Sequence, residues 1–186
     1  MDPKTKTQSL PSRIIEPFTE TRSKQRVLLV EDNPIDAEIV RQMIFQAAHA
    51  VFHLEHVDTL AGGLERLQHG GIELVLLDLS LPDSDRDQTF ARVYSRVPHL
   101  PILLLSSTDD QEFANRKVQE GAQDYLVKGQ FDARLLLRSM RYAIKRKRAE
   151  TALSQERELL RTLLDSIPDR IYFKDDQSRF IRINPA

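Results

Sequence analysis

Apolar runs of three to five residues recur along this chain, and between them the apolar positions return every three or four residues. Val27-Leu28-Leu29-Val30, Leu74-Val75-Leu76-Leu77 and Tyr125-Leu126-Val127 are such runs. An uninterrupted apolar run marks a strand buried on both faces, whereas the longer spacing marks one face of a helix. Strands are predicted at about 27–31, 51–57, 73–79, 102–106 and 123–127. The run at 73–79 is the most apolar and belongs at the centre of a sheet. The first helix starts near Asn33, a good N-cap, with Pro34 suited to its first turn. Ile35, Ile39, Val40, Met43 and Ile44 form its expected core stripe. Asp58 is the expected cap of a second helix that carries Leu60, Leu64 and Leu67 and closes at Gly70-Gly71. Helices follow at about 85–96, with Phe90, Val93 and Val97 on one side, and at about 110–120, ending at Gly121.

Five strands alternating with five helices make an α/β fold, a doubly wound parallel sheet covered on both faces. Right-handed crossovers leave few topologies, and the flavodoxin-like strand order 2-1-3-4-5 is one of the two common ones. That order places the carboxyl ends of strands one, three and five around one pocket. Asp32, Asp78 and Lys128 each stand just after one of those three strands.

The last helix begins near Phe131 and meets no Gly or Pro until Pro168, roughly 55 Å if fully helical. Tyr142, Arg146, Ala149, Leu153, Glu156, Leu160, Leu163 and Ile167 are spaced alternately by four and three. Six of these eight are apolar, which favours a dimeric coiled coil over a single helix lying on a neighbouring domain. Arg146 and Glu156 interrupt the seam. The predicted organisation is a disordered leader at 1–25, a domain at 26–145, a helical linker at 146–167 and the start of a further unit at 168–186.

Composition narrows the setting. The 186 residues are 40% apolar, enough for one sizeable core plus an appendage. A net charge of −1 offers no strong field for nucleic acid, and Lys145-Arg146-Lys147-Arg148 reads as a solvated helix face. No helix-turn-helix segment follows it, so no DNA partner is expected. Cysteine is absent, which excludes disulfides and fits a reducing compartment. No apolar run approaches membrane-spanning length, and residues 1–26 lack the apolar centre of a secretory signal, so a cytoplasmic protein with no membrane partner is expected.

Two carboxylates and an ammonium at a sheet edge describe a site for a divalent cation and a phosphoryl group. Mg²⁺ prefers oxygen ligands, usually one or two carboxylates with phosphate oxygens and water, and Glu31, Asp32 and Asp78 supply them. Lys128 brings a mobile point charge suited to a phosphoryl oxygen. Ser106 and Ser107, ending strand four, add a hydroxyl and an open backbone N–H. The five histidines form no ligand spacing, and a phosphate-cradling Gly loop is absent.

Four motifs occur in order: VLLVEDNP (27–34), LVLLDLSLPDSD (74–85), LLLSSTDD (103–110) and GAQDYLVKG (121–129). With 46 residues from Asp32 to Asp78 and 50 from Asp78 to Lys128, residues 27–145 resemble the receiver (CheY-like) domain of two-component response regulators. The resemblance implies that Asp78 is the phosphoacceptor for a phosphohistidine on a histidine kinase or phosphotransfer protein. It implies Mg²⁺, with Mn²⁺ as an alternative, on Asp32, Asp78 and the backbone carbonyl of Ser80, with Glu31 acting through water. Lys128 and the Ser106 hydroxyl would hold phosphoryl oxygens, joined by the N–H groups of Ser80 and Ser107. Tyr125, 19 residues after Ser106, matches the aromatic switch position. The catalytic content implied is self-phosphorylation with slow hydrolysis of the acyl phosphate, without turnover of a separate substrate.

The chain departs from the family pattern twice. Arg86 stands where the family usually has Gly, so a positive φ there would strain the loop after Pro82. Gly129 stands where Pro usually follows the lysine, so a trans Lys128-Gly129 bond and a looser loop are expected. Residues 159–186, LLRTLLDSIPDRIYFKDDQSRFIRINPA, resemble the opening quarter of a PAS sensor domain, with strands at 171–174 and 180–183. Such chains commonly continue into a histidine kinase or a diguanylate cyclase. The competing classes are a pseudo-receiver that is never phosphorylated and a different α/β enzyme. A flavin binder would need a Ser/Thr-rich loop where Glu31-Asp32-Asn33 stands. An aspartyl phosphatase would need its Asp pair after strand one.

Overall fold

The computed structural model describes residues 24–184; the expected leader falls almost wholly outside them. The elements in chain order are β1 (Gln25–Val30), α1 (Pro34–Ala48), β2 (Phe52–Val57), α2 (Leu60–Gln68), β3 (Leu74–Asp78), α3 (Arg86–Arg96), β4 (Ile102–Ser106), α4 (Gln111–Gln119), β5 (Asp124–Val127), α5 (Ala133–Ser166), β6 (Tyr172–Lys174) and β7 (Phe180–Ile183). Strands β1 to β5 form one parallel sheet in the order 2-1-3-4-5. Its central strand β3 is buried at all five positions.

Alternation along the strands splits the core into two layers. Val27, Leu29, Leu74, Leu76, Leu103 and Leu105 face α1 and α5, while Leu28, Val30, Val75, Leu77, Ile102 and Leu104 face the other side with Leu60, Phe90 and Phe113. Burying a Leu or Val side chain stabilises the fold by about 1.5–3 kcal/mol, so this sheet is the rigid frame that holds its loop ends in place.

Helix α1 differs from its expected stripe. Ala37, Val40, Ile44 and Ala48 are buried, while Ile35 and Ile39 are 69% and 47% exposed. The two small alanines let the backbone lie close to the sheet, which turns the Ile35–Ile39 flank toward solvent. Asn33 caps α1 as expected, its Oδ1 accepting from the Ile35 N–H at 2.9 Å. The cap of α2 is Thr59 rather than Asp58. Leu60 and Ala61 also donate their N–H groups to Asp83 at 2.9 Å, which ties the loop after β3 to the start of α2.

Helix α5 runs unbroken for 34 residues. Only its first third is in the core, through Leu136, Leu137, Met140, Ala143 and Ile144. Beyond the sheet, Leu153, Leu159, Leu160 and Leu163 are exposed. β6 and β7 pair as an antiparallel hairpin, and Asn184 seats it against the helix end. The Asn184 amide donates to the carbonyls of Leu164, Ile167 and Asp169 and accepts from the Ile171 N–H at 2.7 Å. Among the described residues, no helix is long and apolar enough to cross a membrane.

Candidate functional site

The carboxyl ends of β1, β3 and β5 converge. β1 and β3 are adjacent strands, so Glu31-Asp32 and Asp78 emerge side by side, and carboxylate oxygens of Glu31, Asp32 and Asp78 all lie within 4.8 Å of one another. Asp32 is exposed, whereas Glu31 and Asp78 are 0% and 1% exposed. Lys128, on the loop after β5, reaches over them. Its Nζ lies 2.8 Å from Glu31 Oε1, 2.7 Å from Glu31 Oε2 and 3.0 Å from Asp78 Oδ2. A fourth carboxylate, Asp36 in the first turn of α1, also accepts from Lys128 at 3.0 Å. His56 contacts the Glu31 carbonyl at 2.8 Å and steadies the strand end.

The electrostatics follow from this crowding. Burial and the Asp78 charge push the Glu31 carboxyl up to about 7, outweighing the hydrogen bond and charge of Lys128 and the Asn33 N–H. For Lys128, burial pulls downward, but the hydrogen bonds and charges of Glu31, Asp78 and Asp36 outweigh it, and the ammonium stays charged above its ordinary range. Asp78 Oδ1 is buried without a hydrogen-bond partner. A buried, unpartnered carboxylate oxygen beside two further carboxylates suits a hard divalent cation, so these residues fit Mg²⁺.

Ser106 ends β4, and Leu105 pairs with Asp78 in the sheet register. The Ser106 hydroxyl donates to the Thr108 carbonyl at 3.3 Å and accepts the Thr108 N–H at 3.2 Å. Tyr125 donates its hydroxyl to the same Thr108 carbonyl at 2.6 Å, so one carbonyl of the loop after β4 joins the two residues. Ser80 and Ser107 are exposed in the loops just after β3 and β4.

The expected strain at Arg86 is not there. Arg86 is the first residue of α3, and Ser178 is the one non-glycine residue with positive φ among those described. Helical geometry at the start of α3 removes the need for glycine. The guanidinium instead spans to α4, stacked 3.9 Å over the Phe113 ring, with Nη1 3.5 Å from Asp110 and Nη2 3.3 Å from the Tyr125 hydroxyl. Gly129 has φ 79° and the Lys128-Gly129 peptide is trans. Asp36, His56 and Thr108 were not legible as site residues. Asp36 lies one turn into a helix and has no motif, His56 sets its ring against a backbone carbonyl, and Thr108 acts through its own backbone, contacts that only the fold positions.

The profile of the response regulator receiver domain family matches residues 27–141, more than half of the chain. This chain belongs to that family. Its receiver domain is 34% identical over 112 residues to the response regulator protein FleR of Pseudomonas aeruginosa, covering 60% of this chain and 23% of that protein. It is 33% identical over 102 residues to the swarming motility regulation protein RssB of Serratia marcescens, covering 55% and 45% of the two. The chain thus spans less than half the length of these two curated relatives. Among solved structures, the receiver domain protein of Methanospirillum hungatei superposes with a TM-score of 0.60 at 20% identity, covering 69% of this chain and 99% of that one. At that identity the likeness speaks for the fold. Receiver domains of response regulators interact with histidine kinases or phosphotransfer proteins.

Proposed function

We propose that this chain is a phosphorylation-driven switch in a two-component phosphorelay. Asp78 accepts a phosphoryl group from the phosphohistidine of a histidine kinase or phosphotransfer protein. A carboxylate oxygen of Asp78 attacks phosphorus as the P–N bond to the donor imidazole breaks, and the electron pair of that bond stays on the ring nitrogen. Asp32, Asp78 and the Ser80 carbonyl would hold Mg²⁺, with Glu31 acting through water. The bound cation would supply charge neutralisation for the transferring group. Lys128 and the Ser106 hydroxyl take phosphoryl oxygens, with the N–H groups of Ser80 and Ser107. The observation that carries this reading is the arrangement at Asp78. One oxygen is held at 3.0 Å by Lys128, and the other is buried and unpartnered beside Glu31 and Asp32.

When Ser106 turns toward the phosphoryl group, its bond to Thr108 breaks, and the Thr108 carbonyl shared with Tyr125 is freed to move. That couples the site to the face of α4, β5 and α5 as a population shift between two packings. The exposed Ile35 and Ile39 beside the site support docking of a protein donor. The exposed leucines of α5 support pairing of two chains through the helical linker at 146–167. The hairpin then begins a PAS-like unit.

The test is intact-mass detection of one added phosphoryl group after incubation with acetyl phosphate. Labelling that needs Mg²⁺ and is lost in Asp78→Asn is expected. No labelling of the parent chain would leave it a pseudo-receiver that acts by interaction alone.

A further inference from the structure

Besides the two buried carboxylates of the acidic pocket, Asp36 holds the Lys128 ammonium at 3.0 Å, the same distance as Asp78. Asp36 stands apart from the metal trio. It belongs to α1, is not one of the three carboxylates gathered within 4.8 Å, and its side chain is 28% exposed. We infer that Asp36 is the positioning residue for Lys128, the tether that keeps the ammonium aimed at the Asp78 oxygen. This rests on the phosphoacceptor reading and deepens it.

Three features of the chain make such a tether necessary. First, the loop that carries Lys128 is open at its next residue, although Phe131 beyond it packs on the core. Gly129 is exposed at φ 79°, and a Cβ built there would meet nothing within 4 Å. The backbone is anchored by Lys128 N–H to the Ser106 carbonyl at 2.7 Å, so the direction of the four-carbon side chain is set by what its ammonium binds. Second, there is somewhere else for that side chain to go. A cavity of about 90 Å³ opens beside it, lined by Asp36, Val40, Met43, Leu105, Lys128 and Phe131. Third, the other two partners have competing work. When Glu31 and Asp78 turn to a cation and Asp78 carries a phosphoryl group, Asp36 is the carboxylate that still holds Nζ from the α1 side. An ammonium has three donors, and fixing one on a rigid helix directs the others.

The experiment uses the whole 186-residue chain at saturating Mg²⁺, with two readouts: the rate of Asp78 labelling by acetyl phosphate, and the affinity for beryllofluoride by fluorine NMR. Asp36→Asn is expected to lower both about fourfold, the scale of one partly exposed charge-assisted pair. Asp36→Glu is expected to recover most of the loss. In a Lys128→Ala background, Asp36→Asn should have no further effect, because a residue that acts through another is silent once that one is gone. Circular dichroism checks that each variant folds, and Asp36→Ser carries the same test if Asp36→Asn does not. A loss under twofold, or the same loss with and without Lys128, overturns the inference while leaving the phosphoacceptor reading intact. Failure of the parent chain to label removes both.

Discussion

Removing the Lys128 ammonium is the sharpest perturbation of this site. Lys128→Met keeps most of the stem volume and deletes the charge. The structure sets the magnitude. The ammonium contacts Glu31, Asp78 and Asp36 at 3.0 Å or less, and the first two are 0% and 1% exposed. Taking one partner from a buried ion pair costs about 3–5 kcal/mol, because the other charge stays buried and uncompensated. The repulsion left behind is consistent with this. Two carboxylates with oxygens within 4.8 Å of each other, in an effective dielectric of about 20, repel by at least roughly 3.5 kcal/mol. The partly exposed Asp36 adds under about 1 kcal/mol. The assay is urea unfolding followed by far-ultraviolet circular dichroism, since the chain has no tryptophan. With a slope of about 2 kcal/mol per molar, the midpoint should fall by about 2 M in metal-free buffer near pH 8. Saturating Mg²⁺ should erase most of the deficit by supplying the missing positive charge. A midpoint shift under about 0.5 M, or an equal shift with and without Mg²⁺, would refute the electrostatic account.

Two further outcomes follow from the same geometry. Because the Glu31 carboxyl is raised from its ordinary 4.5 to about 7, the metal-free folded state holds a proton that the unfolded state releases. Its stability should therefore fall as pH rises from about 4.5 through about 7, by at most about 3 kcal/mol, while Mg²⁺ affinity by titration calorimetry rises across the same window. At the end of α4, Gly121 has φ 119°, and an added Cβ would sit 2.7 Å from the Tyr94 ring. Gly121→Ala should therefore cost about 1–3 kcal/mol in urea unfolding, and an unchanged midpoint would refute it.

The sequence alone determined the alternation of strands and helices and the charged residue just past each of three strands, while the sheet order was one of two common ones. The first two are written in local signals: apolar runs, caps such as Asn33, and an acidic or basic residue just past a strand. The unbroken α5 was equally legible, since nothing from Phe131 to Pro168 could stop it. Tertiary structure decided which face of α1 turned inward, because helical period marks a stripe but not how closely two alanines let a backbone approach the sheet. It also decided that Arg86 would begin a helix and reach Tyr125, and that Asp36 would share Lys128 with residues 31 and 78. Those contacts join positions 39 and 92 residues apart. Their partners depend on the packing of whole elements, and no local pattern of residues encodes that.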